Sequence, residues 1–196
     1  MIVALASLEV LGFLSIAGCS TEQYRYVPED PKTPNNEARA EAVYLETATV
    51  PNGTVRVLSM GIAELKPNDG SKTFSALHLR MSISNQSSNI WILNTNEELV
   101  SLPNQPSMPP TFVNTNSPIA SQLNVNPGEL RTVDLYYRLP DEKNSAKDVA
   151  EFDFNWRIQA GGTPIQETTQ FARIRAYPLY AVATPYYGPY TYPYPY

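Results

Sequence analysis

The chain has 196 residues, of which 18 are Pro and 13 are Tyr; 17% are charged, and Cys and His occur once each. That length suits one domain with extra terminal segments, and Pro well above its usual share of about 5% favours strands, turns and extended segments over helices. A single Cys excludes an internal disulfide, a single His excludes a multi-histidine metal centre, and a net charge of -5 leaves no basic surplus for nucleic-acid phosphates.

Residues 1–18 (MIVALASLEVLGFLSIAG) are apolar or small almost throughout, and a polar chain begins at Cys19. So short an apolar run followed by polar sequence reads as a secretory signal rather than a membrane span. Its end, Ile16-Ala17-Gly18-Cys19, resembles the lipobox of bacterial lipoproteins. The resemblance implies that the signal is cut before Cys19, that its sulfur is diacylated and that the new amino group is acylated as well. A small buried Cys near the end of a core helix is the plainer alternative. Ser20, where Asp would suggest inner-membrane retention, implies by the same analogy an outer-membrane anchor, expected here to face the periplasm. Two or three acyl chains hold a protein at a bilayer effectively permanently. The segment departs from the pattern in having no Lys or Arg before Cys19 and in carrying Glu9, so translation is expected to start upstream of Met1.

Residues 19–42 are expected to form the lipidated Cys and a flexible tether: polar, without apolar periodicity, and with Pro28, Pro31 and Pro34 spaced three apart. Fully extended, such a tether would reach some 70 Å at about 3.1 Å per residue.

From 43 to 177 the pattern changes to period two. Leu77, Leu79, Met81 and Ile83 alternate with His78, Arg80, Ser82 and Ser84. Val133, Leu135, Tyr137 and Leu139 alternate with polar residues, as do Phe152, Phe154, Trp156 and Ile158. Such alternation predicts antiparallel strands with one face buried. Weaker segments are Val43–Thr49, Val55–Leu65, Asn89–Leu93, Leu99–Leu102, Ile119–Val125 and Thr168–Ala176. Turn chemistry separates them: Asn126-Pro127-Gly128-Glu129 suits a type II turn, with Asn68-Asp69-Gly70 and Gly161-Gly162 elsewhere. Seven to nine short strands, with at most a short helix in 141–150, predict an all-β, antiparallel two-sheet sandwich centred on Trp91 and Trp156. The succession LHLRMSISN, NIWIL, a long loop, LNVNPGELRTVDLYYRLP and FDFNWRIQ resembles immunoglobulin-like sandwiches of secreted and lipid-anchored bacterial proteins of unknown function. That resemblance spans about 54–176 and implies a fold without catalytic residues.

Residues 178–196 are a Tyr/Pro-rich tail. Pro185, Pro189, Pro193 and Pro195 break helix and remove strand donors, so its end is expected to be extended and polyproline-like.

Little in the chain suits catalysis. His78 lies on the wet face of its strand without metal-ligand spacing or a G-x-S-x-G partner. Glu97-Glu98, Asp141-Glu142 and the group Asp148, Glu151 and Asp153 read as solvated loop acids, with weak calcium binding as their main alternative. Asn52-Gly53-Thr54 and Asn85-Gln86-Ser87 match glycosylation sequons by chance. No enzyme activity, cofactor or metal is expected. Contacts are expected instead from Met108 and Phe112 in the Pro-rich stretch 103–118, and from Tyr186, Tyr187, Tyr190, Tyr192, Tyr194 and Tyr196 in the tail. Tyr on a polyproline scaffold loses little entropy on binding and offers a flat face with a hydroxyl. The plainer reading of the loop is a Pro-stiffened connection crossing between sheets, and the alternative for the tail is a low-complexity disordered end without a partner. The expected partner is a protein of the cell envelope; the alternative is a cell-wall glycan such as peptidoglycan, and nucleic acid is excluded.

Overall fold

In the computed structural model, residues 23–29, 39–44, 52–66, 72–114 and 122–176 are described. They form eleven strands: β1 (Gln23–Pro28), β2 (Arg39–Tyr44), β3 (Gly53–Leu65), β4 (Phe74–Asn85), β5 (Trp91–Asn94), β6 (Leu99–Ser101), β7 (Phe112–Val113), β8 (Gln122–Val125), β9 (Leu130–Arg138), β10 (Glu151–Ala160) and β11 (Thr163–Ala176). One sheet has the order β1-β11-β10-β5-β8, with β6 also paired to β10; the other has the order β2-β3-β4-β9-β7. Every pairing is antiparallel. The chain is therefore an all-β, two-sheet sandwich. The region 141–150, where a short helix was allowed for, holds one 3-10 turn at Asp141–Lys143.

The apolar alternation carries the core. Leu77, Leu79, Met81 and Ile83 are fully buried from one sheet, and Phe152, Phe154, Trp156 and Ile158 from the other. Each such side chain contributes roughly 1.5–3 kcal/mol by leaving water. Trp91 is fully buried as well, and its indole N–H donates to Ser87 Oγ at 3.0 Å.

Turns close one end of the sandwich tightly. Gly128 has φ +74 and Glu129 N–H donates to the Asn126 carbonyl at 3.0 Å, the geometry of a type II turn. Gly161 and Gly162, at φ +57 and +95, make the two-residue link between β10 and β11. Asn85 ties these parts together. Its Nδ2 donates to the carbonyls of Asn89 at 2.7 Å and Val125 at 2.9 Å, while its Oδ1 accepts from the backbone and hydroxyl of Ser87. Fully buried and committed on both sides, Asn85 is a fastener of this end and no acceptor for a sugar. Asn68-Asp69-Gly70 lies outside the described residues.

The tether expected over 19–42 is corrected within the described residues: 23–28 is an edge strand and Arg39–Tyr44 pairs with β3. Tyr26 supplies the reason. It is buried against Phe152, ring centroids 5.3 Å apart, and its hydroxyl donates to the Val149 carbonyl at 3.1 Å. That burial pushes its phenol up to about 12. Pro28, which lacks an N–H, is tolerated because β1 pairs on one side only.

Candidate interaction surface at the open end of the sandwich

Strand direction sorts the loops into two ends. The closed end holds the Asn85 fastener and the glycine turns. The other holds the start of β1, the end of β11 and the loops 102–111 and 139–150. The register places Gln23 opposite Ala176. The 139–150 loop stitches this end together: Ser75 Oγ donates to the Asn144 carbonyl at 2.8 Å, Arg173 Nη1 donates to the carbonyls of Ala146 and Lys147, and Arg173 N–H donates to the Ala150 carbonyl at 2.8 Å.

The Pro-rich loop carries the chain from one sheet to the other. Met108 exchanges both backbone hydrogen bonds with Val100, at 2.8 and 3.0 Å, folding the loop back beside β6. Asn104 takes a left-handed conformation at φ +60, and Gln105 N–H donates to the Leu102 carbonyl at 3.1 Å. Pro103, Asn104, Gln105, Pro106, Ser107 and Pro109 are exposed, whereas Leu102 and Pro110 are buried. Met108 is half-buried and packs on the core. It anchors the loop from within; the surface it was expected to offer belongs to its uncharged neighbours.

Phe112 is half-buried on the outer face of the second sheet. Its ring stacks on Phe74 at 6.0 Å, and the Arg138 guanidinium lies 4.9 Å over the Phe74 ring. In register with Phe112 is Tyr136, which stacks on His78 at 4.3 Å. His78 Nε2 and Arg80 Nε both reach Asp134 Oδ1 at 2.8 Å, and Arg80 Nη2 adds a bond to Oδ2 at 3.1 Å. Burial alone would raise the Asp134 carboxyl, but the bonds from Arg80 and His78 outweigh it and hold the group below the usual carboxylate range. His78 does lie on the outer face as expected, yet it is only 13% exposed, covered by Tyr136 and bound to Asp134. Tyr136 is itself only 6% exposed, so this is a packed cluster, and the half-buried Phe74 and Phe112 rings are its aromatic surface. Among the described residues, no group of three or more His, Cys, Asp or Glu side chains is placed to hold a metal ion, and no helix is long and apolar enough to cross a membrane.

One acid departs from expectation. Between the pairs Leu93–Ile158 and Leu99–Asn155, five residues face only two on β10, so the strand breaks into β5, a 3-10 turn at Thr95–Glu97, and β6. Asn94 caps the turn by accepting from Asn96 N–H at 3.2 Å. Arg157 N–H, inside that break, is satisfied by Glu98 Oε1 at 3.2 Å. Glu98 is fully buried, its Oε2 has no hydrogen-bond partner, and its carbonyl accepts from Tyr137 across the sandwich at 3.0 Å. Burial pushes its carboxyl up to about 9, against the Arg157 bond and with the charge of Glu97 adding to the rise. Glu98 is thus a core residue; Glu97 stays exposed and pairs with Arg157 at 3.4 Å.

Sequence reasoning missed Phe74, Tyr136 and Arg138 as neighbours of Phe112. The available signal was the alternation of β9, which puts Asp134, Tyr136 and Arg138 on one face. Cys19, Ile16, Ala17, Gly18 and the tail residues Tyr186, Tyr187, Tyr190, Tyr192, Tyr194 and Tyr196 lie outside the described residues. No protein-family model matches the chain, and no curated protein matches it.

Proposed function

We propose that this protein is a non-enzymatic, lipid-anchored module of the bacterial cell envelope, held at the outer membrane through Cys19 and facing the periplasm. It contacts a protein partner through the exposed part of the Pro-rich loop, the Phe112 cluster and the Tyr/Pro tail. One observation supports this reading: the register of Gln23 with Ala176 puts the start of β1 and the end of β11 at the same end of the sandwich to which the pairings of β6 and β7 bring the Pro-rich loop. Segments separated by tens of residues in sequence thereby leave the scaffold at one end, as binding loops on a rigid β scaffold commonly do. The Tyr and Pro residues of the tail and the Pro residues of the loop suit an aromatic-lined groove.

Affinity purification of the detergent-solubilised full chain, beside a version ending at Thr184 and a Phe112→Ala variant, tests it. A near-stoichiometric envelope protein that is lost with the tail and weakened by Phe112→Ala is the expected result. Recovery of no protein by any form, with sedimentation on isolated sacculi instead, would replace this reading with glycan binding.

A further inference from the structure

Three strands, β4, β7 and β9, bring Phe74, Phe112 and Arg138 together on the outer face of the second sheet, at the open end. Arg138 stands opposite Ala76 in register, and Phe112 stands opposite Tyr136. The Phe74 and Phe112 rings stack at 6.0 Å with 16° between their planes, and the Arg138 guanidinium lies 4.9 Å over Phe74. The backbone beneath is fixed, because Arg138 N–H donates to Thr111 Oγ1 at 3.2 Å. Both rings are half-buried, and Arg138 is exposed.

The arginine sets this cluster apart. Arg80 spends its guanidinium on Asp134, Arg131 pairs with Glu129, Arg157 pairs with Glu97, and Arg173 bonds two backbone carbonyls. Arg138 meets a ring face instead: among the described residues its guanidinium has no ion pair and no hydrogen-bond acceptor. Asp141 and Glu142, the acids that follow it in sequence, are exposed and form no ion pair with it. Asp134, on the same face, is already held by Arg80 and His78. Contact with a ring uses the charge and not the N–H donors, so the fork that grips a carboxylate stays available.

We propose that this cluster is a subsite for an acidic peptide segment of the partner. An Asp or Glu carboxylate of that segment pairs with Arg138, while an adjoining apolar side chain lies against the open faces of Phe112 and Phe74. The inference deepens the protein-partner reading and rests on it. Charge selects the occupant: a neutral sugar would cover the rings and leave the guanidinium without a counter-charge, and a basic segment would be repelled. The rings in turn keep water from one side of the pair, which strengthens it over a fully exposed one.

The test has two arms. In the first, the partner recovered by the full chain is titrated against the parent, Arg138→Gln and Arg138→Lys, all checked for equal denaturant midpoints, at low and high salt. Arg138→Gln should weaken the complex about tenfold and flatten its salt dependence, and Arg138→Lys should restore part of the affinity. In the second, the peptide acetyl-Pro-Phe-Asp-Pro-amide and its Asn counterpart are added to the isotope-labelled full chain. The Asp peptide should shift the Arg138 Nε–H and the Phe74 and Phe112 ring resonances, and the Asn peptide should do so several-fold less. Equal responses to the two peptides, or no response to either, overturn the proposal. An Arg138 Nε–H resonance that moves when the chain is ended at Thr184 assigns the subsite to this chain's own tail and overturns it too. A partner bound as tightly by Arg138→Gln as by the parent overturns this inference alone. Recovery of no protein by the parent overturns the protein-partner reading and this inference with it.

Discussion

Glu98 places an ionisable group where ionisation is costly, and the cost has a sign. Its carboxyl titrates near 4.5 in an ordinary setting and near about 9 in the fold. Between these values the folded state keeps a proton that the unfolded chain has released. Stability is therefore full below about pH 4.5 and falls as pH rises towards about 9, by up to about 1.4 kcal/mol per pH unit. Asp134 acts in the opposite direction: its contribution is present above its unfolded pKa and is lost as pH falls through its lowered folded value. Glu98→Gln keeps an acceptor for Arg157 N–H and removes the titration. Urea unfolding across this range should show the alkaline fall in the parent and a flattened profile in the variant. Gly53 is a second residue under tight constraint. An added Cβ would meet the Trp91 ring at 2.3 Å and the Ser84 carbonyl at 2.5 Å. Gly53→Ala should therefore cost about 1–3 kcal/mol by overpacking, read as a lower denaturant midpoint with a disturbed Trp emission. Neither residue announces its role in the sequence. Glu97-Glu98 looks like a solvated pair because the burial of Glu98 depends on five residues of one strand facing two of another, a mismatch invisible from either strand alone.

At the scale of elements, the sequence is most legible where one strand has one continuous buried face. β10 follows its apolar alternation from end to end, and β4 does so from Leu77 to Ile83; in β9 the alternation is overlaid by Tyr136, which is buried on the outer face. β3 departs from it, because a bulge between Ser59 and Gly61 shifts its register, with Gly61 at φ +89 and Met60 left 47% exposed. β5 and β6 read as two weak strands, and they are one line against β10 interrupted by the Glu98 turn. β1 was hidden by its own composition: a short edge strand rich in Tyr, Arg and Pro has little alternation to show, and its partner lies at the far end of the chain. Tyr26 decides between strand and tether. Tyr26→Ala should destabilise by about 3–5 kcal/mol and Tyr26→Phe by about 1 kcal/mol through the lost bond to Val149. Both are measurable by equilibrium unfolding, and both would be silent in a tether.

For the whole molecule, the division into a fastened end and an open end is what the proposed binding role would use. Composition gave the class of fold, and turn chemistry gave the fastened end, because Pro-Gly and Gly-Gly act locally. The open end was not legible in the same way: its cluster of Phe74, Phe112 and Arg138 comes from three strands that meet only through sheet topology. The proposed function predicts that folding and binding are separable. β11 ends at Ala176, so a chain ending at Thr184 should unfold at the same denaturant midpoint as the full chain, within about 0.5 kcal/mol, while losing its partner.

The pairing of β1 with β11 also sets an order of events. The first strand of the domain cannot find its neighbour until the last has been made, because Gln23 waits for Ala176. Closing so long a loop delays completion of the sheet far more than any local hairpin would. A chain emerging vectorially, whether from a ribosome or through a membrane pore, therefore keeps an open edge until nearly its whole length is out. Truncation within β11 leaves β1 without a mate. Among the described strands, the pairing of β1 is thus one of the latest that a growing chain can complete.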